Sequence, residues 1–147
     1  MRVYLSGEIH TDWRNQIITA CVDLNIKFDG PVTDHGASDD CGAVILGLEV
    51  DKFWHDHKGA RLNAIRTRNG IEQADVIVVR FGNKYKQWNA AFDAGYAAAL
   101  GKSLIVMHGA DNQHALKEVD AAALVVAETP QQVAAALRYV LTDFLPT

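Results

Sequence analysis

The chain has 147 residues, which is the size of one ordinary domain with a sizeable buried core. Lysine and arginine number 14 and aspartate and glutamate 18, so the formal charge is −4. This acidic balance argues against a dedicated nucleic-acid-binding protein. Hydrophobic residues make up 49% of the chain, which excludes a disordered composition. We therefore expect a single globular domain over residues 1–147.

The cellular location is predicted from what the sequence lacks. No apolar segment reaches the ~20 residues that cross a bilayer, so we expect no membrane association. The N-terminal residues resemble a strand and not a secretory signal peptide. The two cysteines, Cys21 and Cys41, form no CxxC pair and are typical of reduced thiols. These features together predict a cytoplasmic protein.

Short apolar segments predict the strands of a sheet, over residues 2–6, 75–80, 103–107 and 123–126, with a weaker fifth strand over 26–29. The segments are continuously apolar, which indicates strands buried on both faces of a parallel sheet. Helical patterns separate them, over residues 13–24, 58–74, 85–100 and 131–144. The alternation predicts a doubly wound α/β fold with a flavodoxin-like, five-stranded parallel sheet. Residues 39–54 are expected to hold a loop and a short helix.

In such folds ligands bind at the carboxyl ends of the strands. This rule predicts a ligand pocket formed by the loops at residues 7–10, 81–83 and 108–109. The GxGxxG, GxxxxGK[ST] and GxSxG motifs are all missing from the sequence, which removes the main support for dinucleotide binding, P-loop chemistry and serine hydrolysis.

The loop after the first strand carries Glu8, His10 and Asp12. Glu8 or His10 is a candidate for ligand contact, because first βα loops of such folds hold functional groups. The alternative is a structural loop in which Thr11 or Asp12 caps the next helix. Gly7 permits a close backbone approach or a positive φ.

Two polar clusters contain residue types that bind metals. One joins Asp34 and His35 to Asp39 and Asp40, and the other spans residues 55–57, with His55 and His57 at its ends. A metal site needs converging ligands, and an HxH spacing is a weak signal of convergence. We therefore predict polar loops here, with no metal and no cofactor.

Asp93 lies in an alanine-rich helical segment, where it shares a face with Asn89, Ala90 and Ala97. The small neighbours leave its carboxylate accessible. Either a solvated helix position or a functional carboxylate is consistent with this pattern.

Three segments carry a resemblance to a known family. Residues 92–97 with 100–102 resemble the second signature of the nucleoside 2-deoxyribosyltransferases, residues 69–75 resemble the run before their central strand, and residues 4–7 resemble their opening. The whole chain, most clearly residues 6–14, resembles the YtoQ family of bacterial proteins, which is related to these enzymes.

The resemblance implies a retaining displacement at the anomeric carbon of a nucleoside, with a carboxylate as nucleophile. Asp93 falls on the nucleophilic glutamate of the family and Tyr4 on its pocket tyrosine. The sequence departs from the family at Asp93, which replaces glutamate, and at Gln87 and Thr67, each of which replaces aspartate. The glycine that opens the signature is replaced near Asn89.

The leading prediction is an N-glycoside hydrolase or (deoxy)ribosyltransferase acting on a nucleoside, nucleotide or related N-riboside. Its predicted catalytic residues are Asp93, Tyr4 and Glu8, and its predicted substrate-binding residues are Ser6, Gly7, His10, Asn69, Gly82, Gln87 and Asn89. The alternatives are a non-catalytic nucleotide-binding or sensor domain and an oligomeric module without a small ligand. The small residues of the helix over 88–100 and the resemblance both predict a homo-oligomer, a dimer or larger.

Overall fold

A computed structural model describes residues 1–145 of the chain. Five parallel strands of this part form one sheet in the order β2-β1-β3-β4-β5, and they are β1 (Arg2–Gly7), β2 (Lys27–Asp29), β3 (Val76–Phe81), β4 (Ser103–His108) and β5 (Val125–Ala127). This topology confirms the predicted flavodoxin-like parallel sheet. One domain over residues 1–147 stays a prediction, and residues 146–147 lie outside the described part.

The helices cover both faces of the sheet. They are α1 (Trp13–Ala20), α2 (His35–Leu46), α3 (Lys52–Gln73), α4 (Trp88–Ala99), α5 (Lys117–Ala122) and α6 (Pro130–Thr142). A short 3₁₀ turn, Ala110–Asn112, precedes α5. No helix among residues 1–145 is both long and apolar enough to span a membrane.

The central strand β3 divides its side chains between two cores. Val76 and Val78 belong to the core shared with α1 and α6, whereas Ile77 and Val79 face the core shared with α3 and α4. All four are buried, as the continuous apolar pattern predicted. The edge strand β5 differs, because Val125 and Val126, which point to opposite faces of the sheet, are both exposed. The expectation of burial on both faces is therefore wrong for this strand.

The segment before β3 is more helical than expected. Residues 39–54 were expected to hold a loop and a short helix, and α2 covers the first half of this segment. Helix α3 begins six residues earlier than predicted, at Lys52. An aspartate caps the N-terminus of each helix. Asp34 of α2 accepts a 2.7 Å hydrogen bond from the Ala37 amide, and Asp51 of α3 accepts a 2.8 Å hydrogen bond from the Phe53 amide. The polar residues that suggested loops therefore include the caps of two helices.

Other boundaries also differ from the sequence prediction. Helix α1 ends at Ala20, not at residue 24, and α4 begins at Trp88, not at residue 85. The short helix α5 was not predicted, since six residues carry too little periodicity to be recognised.

Two glycines allow α3 to pack closely against its neighbours. Gly42 of α2 meets α3 at Gly59, where a side-chain carbon on Gly42 would lie 2.5 Å from the Gly59 nitrogen. Nearer the sheet, Gly70 lies against the ring of Tyr4, and a methyl group there would overlap that ring. These contacts hold α3 against α2 on one side and against β1 on the other.

Candidate functional site

An open cleft of about 920 Å³ lies at the carboxyl end of β1. Its walls come from the β1–α1 loop, from α2 and α3, and from the β3–α4 loop with the start of α4. Seven of the predicted site residues line it: Ser6, Gly7, Glu8, His10, Gln87, Asn89 and Asp93. The fold rule that ligands bind at the carboxyl ends of parallel strands thus leads to a real cavity.

The carboxylate of Asp93 is held by the first strand. The buried Ser6 hydroxyl, near the end of β1, donates a 2.5 Å hydrogen bond to Oδ2 of Asp93, which lies in the second turn of α4. Burial raises the pKa of Asp93, and the bond from Ser6 opposes this rise. Among residues 1–145, Oδ1 of Asp93 has no hydrogen-bond partner. One oxygen is therefore fixed by Ser6, whereas the other accepts no hydrogen bond from the described residues.

Tyr4 lies close to this pair but does not hold the carboxylate. Its ring is buried beneath α3, and its hydroxyl is 3.5 Å from Oγ1 of Thr67. Burial raises the pKa of Tyr4, and the negative charge of Asp93 raises it further. Ser6, and not Tyr4, therefore supplies the hydrogen bond to Asp93.

Glu8 is a buried carboxylate whose acceptor positions are largely occupied. It accepts hydrogen bonds from Oγ1 of Thr11 at 2.6 Å, from the His10 amide and from Nε of Arg80 at 3.1 Å. Burial alone would raise the pKa of Glu8, but these hydrogen bonds and the Arg80 charge lower it overall. An ionised carboxylate holds no proton to donate, so this arrangement suits a residue that positions the loop.

His10 and Tyr85 bring two ring side chains into contact within the cleft. The imidazole of His10 is exposed and lies 4.8 Å from the ring of Tyr85, centroid to centroid. Both residues line the cleft. His10 is therefore accessible to a molecule bound in the cleft.

Arg14 fixes the β1–α1 loop from below. Its guanidinium donates hydrogen bonds to the carbonyls of Leu5, Gly7 and Glu8 at 3.0, 3.1 and 2.6 Å. Burial lowers the pKa of Arg14 to about 10. The indole of Trp13 donates a further 2.8 Å bond to the Glu8 carbonyl. The sequence contains Arg14 within a family-like segment, but nothing in the pattern indicates that it binds three carbonyls.

Two glycines permit the close packing of this loop. Gly7 has a φ of +102°, and a methyl group there would overlap the Arg80 carbonyl. A side-chain carbon on Gly82 would lie 2.6 Å from Cγ of Glu8. Gly82 therefore supports Glu8 from beneath and does not line the cleft itself.

The three predicted amide side chains have different positions. Gln87 and Asn89 line the cleft, whereas Asn69 is exposed outside it. Oε1 of Gln87 accepts a 2.7 Å hydrogen bond from the Gly82 amide. Nε2 of Gln87 is buried and has no partner among residues 1–145. Gln87 thus presents a fixed, unsatisfied donor.

The wall formed by α2 and α3 was not predicted from the sequence. It contributes His35, Ser38, Asn63, Arg66, Thr67 and Arg68 to the cleft. Nδ2 of Asn63 donates to the carbonyl and hydroxyl of Ser38 at 3.0 and 3.1 Å, which joins the two helices. These residues could not be grouped by sequence, because their convergence depends on the helical pair.

The two polar clusters considered as metal ligands form pairwise contacts. His35 lies 3.0 Å from Asp39, and His55 lies 3.2 Å from Asp40. Nδ1 of His57 lies 2.8 Å from the Phe53 carbonyl. Within residues 1–145 no three histidine, cysteine or carboxylate side chains are grouped as metal ligands.

The chain is similar in sequence to a described protein family and to one curated protein. The sequence profile of the family described as "Nucleoside 2-deoxyribosyltransferase YtoQ" matches residues 4–141. The YtoQ protein of Bacillus subtilis (strain 168), whose activity is uncharacterized, is 42% identical over 139 residues, or 93% of this chain and 94% of the relative. The chain belongs to the YtoQ family. The predicted relationship to the YtoQ family is therefore confirmed.

Two solved structures resemble this YtoQ-family chain in fold. One is a 2-deoxyribosyltransferase from Bacillus psychrosaccharolyticus, with a TM-score of 0.56, 13% identity, and coverage of 91% of this chain and 90% of the other. The second is the CMP N-glycosidase BcmB of Clostridium botulinum, with a TM-score of 0.54, 12% identity, and coverage of 96% and 100%. At these identities the likeness shows the α/β fold.

Proposed function

We propose that this YtoQ-family chain cleaves the N-glycosidic bond of a nucleoside, nucleotide or related N-riboside, as a hydrolase or a (deoxy)ribosyltransferase. The observation that carries the proposal is the carboxylate of Asp93, which faces the cleft. One of its oxygens is held by Ser6, and the other has no hydrogen-bond partner within residues 1–145. The family and the two structural neighbours support the same class of reaction.

In the proposed reaction, the free Oδ1 of Asp93 attacks the anomeric carbon as the bond to the base breaks. The bonding electrons pass to the base nitrogen, which takes up a proton, and a glycosyl ester of Asp93 remains. Water or a second base then attacks the same carbon and releases the carboxylate. The two inversions retain the configuration of the sugar.

Other residues have supporting roles in this proposal. His10 is the residue best placed to supply the proton to the leaving base, because it is exposed in the cleft. Glu8 and Tyr4 act as positioning residues, Glu8 through the β1–α1 loop and Tyr4 through its contact with Thr67. Ser6, Gly7, Gln87 and Asn89 are the proposed substrate contacts on the inner walls.

The test is a screen for base release from nucleosides and their monophosphates. We expect turnover by the natural chain and loss of roughly three orders of magnitude or more in Asp93→Asn. Asp111→Asn, an exposed carboxylate on the 3₁₀ turn outside the cleft lining, is the matched control and should retain activity. Full activity in Asp93→Asn would overturn the assignment of the nucleophile.

A non-catalytic nucleotide-binding role is the second candidate. It is favoured by the replacement of the family glutamate with Asp93, which is shorter by one methylene group, because displacement tolerates little misplacement of the nucleophile. Thermal stabilisation by nucleotides with no base release under any condition would support this role.

We also propose that the chain forms a homo-oligomer and acts in the cytoplasm. The alanines of α4 pack on the sheet of their own chain, but Trp88 and Phe92 of the same helix are exposed. Further apolar side chains are exposed around the α2–α3 connection: Val44, Ile45, Leu46, Leu48, Val50, Phe53 and Trp54. Such surfaces favour association with another copy. Light scattering should give at least a dimer, and a monomer would contradict the proposal.

A further inference from the structure

The charges that line the cleft differ in sign from the charge of the whole chain. The chain has a formal charge of −4. The cleft, however, is lined by three permanent cations, Arg66, Arg68 and Lys86, and by only two carboxylates, Glu8 and Asp93. Glu8 is paired with Arg80, which lies outside the lining, at 3.1 Å. The remaining positive charges are therefore in excess within the cavity.

These three cations are not paired with a carboxylate of the described residues. None forms an ion pair within 4.0 Å in the part of the chain that the structure describes. At about 100° per residue, Arg66 and Arg68 flank the α3 face that presents Thr67. Lys86 lies on the other wall, with its ammonium 5.6 Å from the ring centre of Trp88. Positive charge therefore borders the cleft from both walls and attracts anions into it.

A second observation points to a missing acceptor. Nε2 of Gln87 is buried, lines the cleft, and has no hydrogen-bond partner among residues 1–145. The other end of the same amide is fixed by the Gly82 amide. Leaving a buried donor unsatisfied is costly, so a bound molecule that offers an oxygen acceptor is the natural complement.

We propose that the substrate is a phosphorylated N-riboside and that Arg66, Arg68 and Lys86 bind its phosphate, an inference that rests on the proposed function. A phosphate monoester carries a charge of about −1.5 to −2 near neutral pH. Guanidinium groups match phosphate oxygens with paired hydrogen bonds, and an ammonium adds a further charge. The aromatic side chains of Tyr85 and Trp88 also line the cleft and offer apolar contacts to the rest of the molecule.

The experiment uses probes that contain no base, because the base is unknown. Ribose 5-phosphate, ribose and inorganic phosphate are titrated into the full chain, with thermal stabilisation and calorimetric affinity as readouts. We expect ribose 5-phosphate to bind at least tenfold more tightly than ribose, with an affinity that falls as salt rises. Equal binding of ribose and ribose 5-phosphate, or no binding of ribose 5-phosphate, would overturn the proposal.

Charge-removing variants locate the phosphate contact. Arg66→Gln, Arg68→Gln and Lys86→Gln should each weaken ribose 5-phosphate binding, by roughly tenfold for an arginine, and leave ribose binding unchanged. Arg61→Gln on the same helix, exposed and outside the lining, is the matched control. Unchanged affinity in the Arg66→Gln/Arg68→Gln variant would show an adventitious anion effect only and would overturn the proposal.

Failure of the phosphate site and failure of the proposed reaction give different experimental results. Asp93→Asn should retain ribose 5-phosphate binding and lose base release. Base release with no preference for phosphorylated substrates would overturn the phosphate site and leave the reaction standing. Phosphate-dependent binding by a chain that never releases a base would support the phosphate site and contradict the reaction.

Discussion

Ser6 and Asp93 are 87 residues apart in the chain, and a 2.5 Å hydrogen bond joins the hydroxyl of one to Oδ2 of the other. The bond links the first strand to α4 across the cleft floor. It orients the carboxylate and opposes the effect of burial on its pKa.

Removing the Ser6 hydroxyl should shift the pH dependence of base release. Burial raises the pKa of Asp93 and the bond from Ser6 lowers it, so Ser6→Ala should raise the pKa further. Because the nucleophile is the ionised form, the acidic limb of kcat/KM should move to higher pH and activity should partly recover there. Ser103→Ala, at the exposed start of β4, is the control. An unmoved acidic limb would contradict this role of Ser6.

Asp93→Asn should be more thermally stable than the natural chain at neutral pH, although it loses activity. The folded state raises the pKa of Asp93 above its ordinary value of 3.8, so stability falls as pH rises through the raised pKa. The amide carries no charge and avoids this loss. The difference in Tm between the two proteins should shrink as pH falls towards 3.8. A lower Tm of Asp93→Asn at neutral pH would contradict the predicted gain in stability.

Glu8 should produce the opposite dependence. Its pKa is lowered in the folded chain, so its contribution to stability is present above the ordinary value of 4.5 and is lost as pH falls through the lowered pKa. Glu8→Gln should be less stable at neutral pH, and its unfolding free energy should fall less steeply below pH 4.5. Denaturant unfolding across this range measures both effects, and parallel curves would contradict the prediction.

Gly7→Ala should cost at least about 2 kcal/mol of stability. The residue has a positive φ and its added methyl would overlap the Arg80 carbonyl. Gly101 is a matched control, since its φ is +69° but nothing lies within 4 Å of an added side-chain carbon. Gly101→Ala should cost only about 1 kcal/mol. Equal losses in chemical denaturation would show that the overlap is relieved by small movements.

Arg14→Gln should loosen the β1–α1 loop, because the shorter amide cannot donate to all three carbonyls that Arg14 binds. We expect a loss of about 2–3 kcal/mol in unfolding free energy and faster amide exchange in residues 7–10. Arg61→Gln, which changes an exposed residue of α3, should change neither quantity. Unaltered exchange in the Arg14 variant would contradict its role as the support of the loop.

The sheet was predictable because its signal is local. The continuous β-branched run of β3 indicates burial on both faces, and short helices between strands indicate parallel connections. Most of α3 was predicted, but the full length of α2 and the first six residues of α3 were not, because their aspartate caps and histidines have the composition of loops. Of the site, Asp93 and the first loop could be found from pattern and resemblance. The bond from Ser6 and the three carbonyls bound by Arg14 depend on tertiary contacts that no spacing reveals.

Gly70 has a consequence for ligand size. At this residue α3 rests directly on the ring of Tyr4, with no side chain between them. The same helix carries Arg66, Thr67 and Arg68 along one wall of the cleft. The separation of the two walls is therefore set partly by a missing methyl group behind the cavity. A larger residue at this position would widen the opening without changing any side chain that a ligand touches.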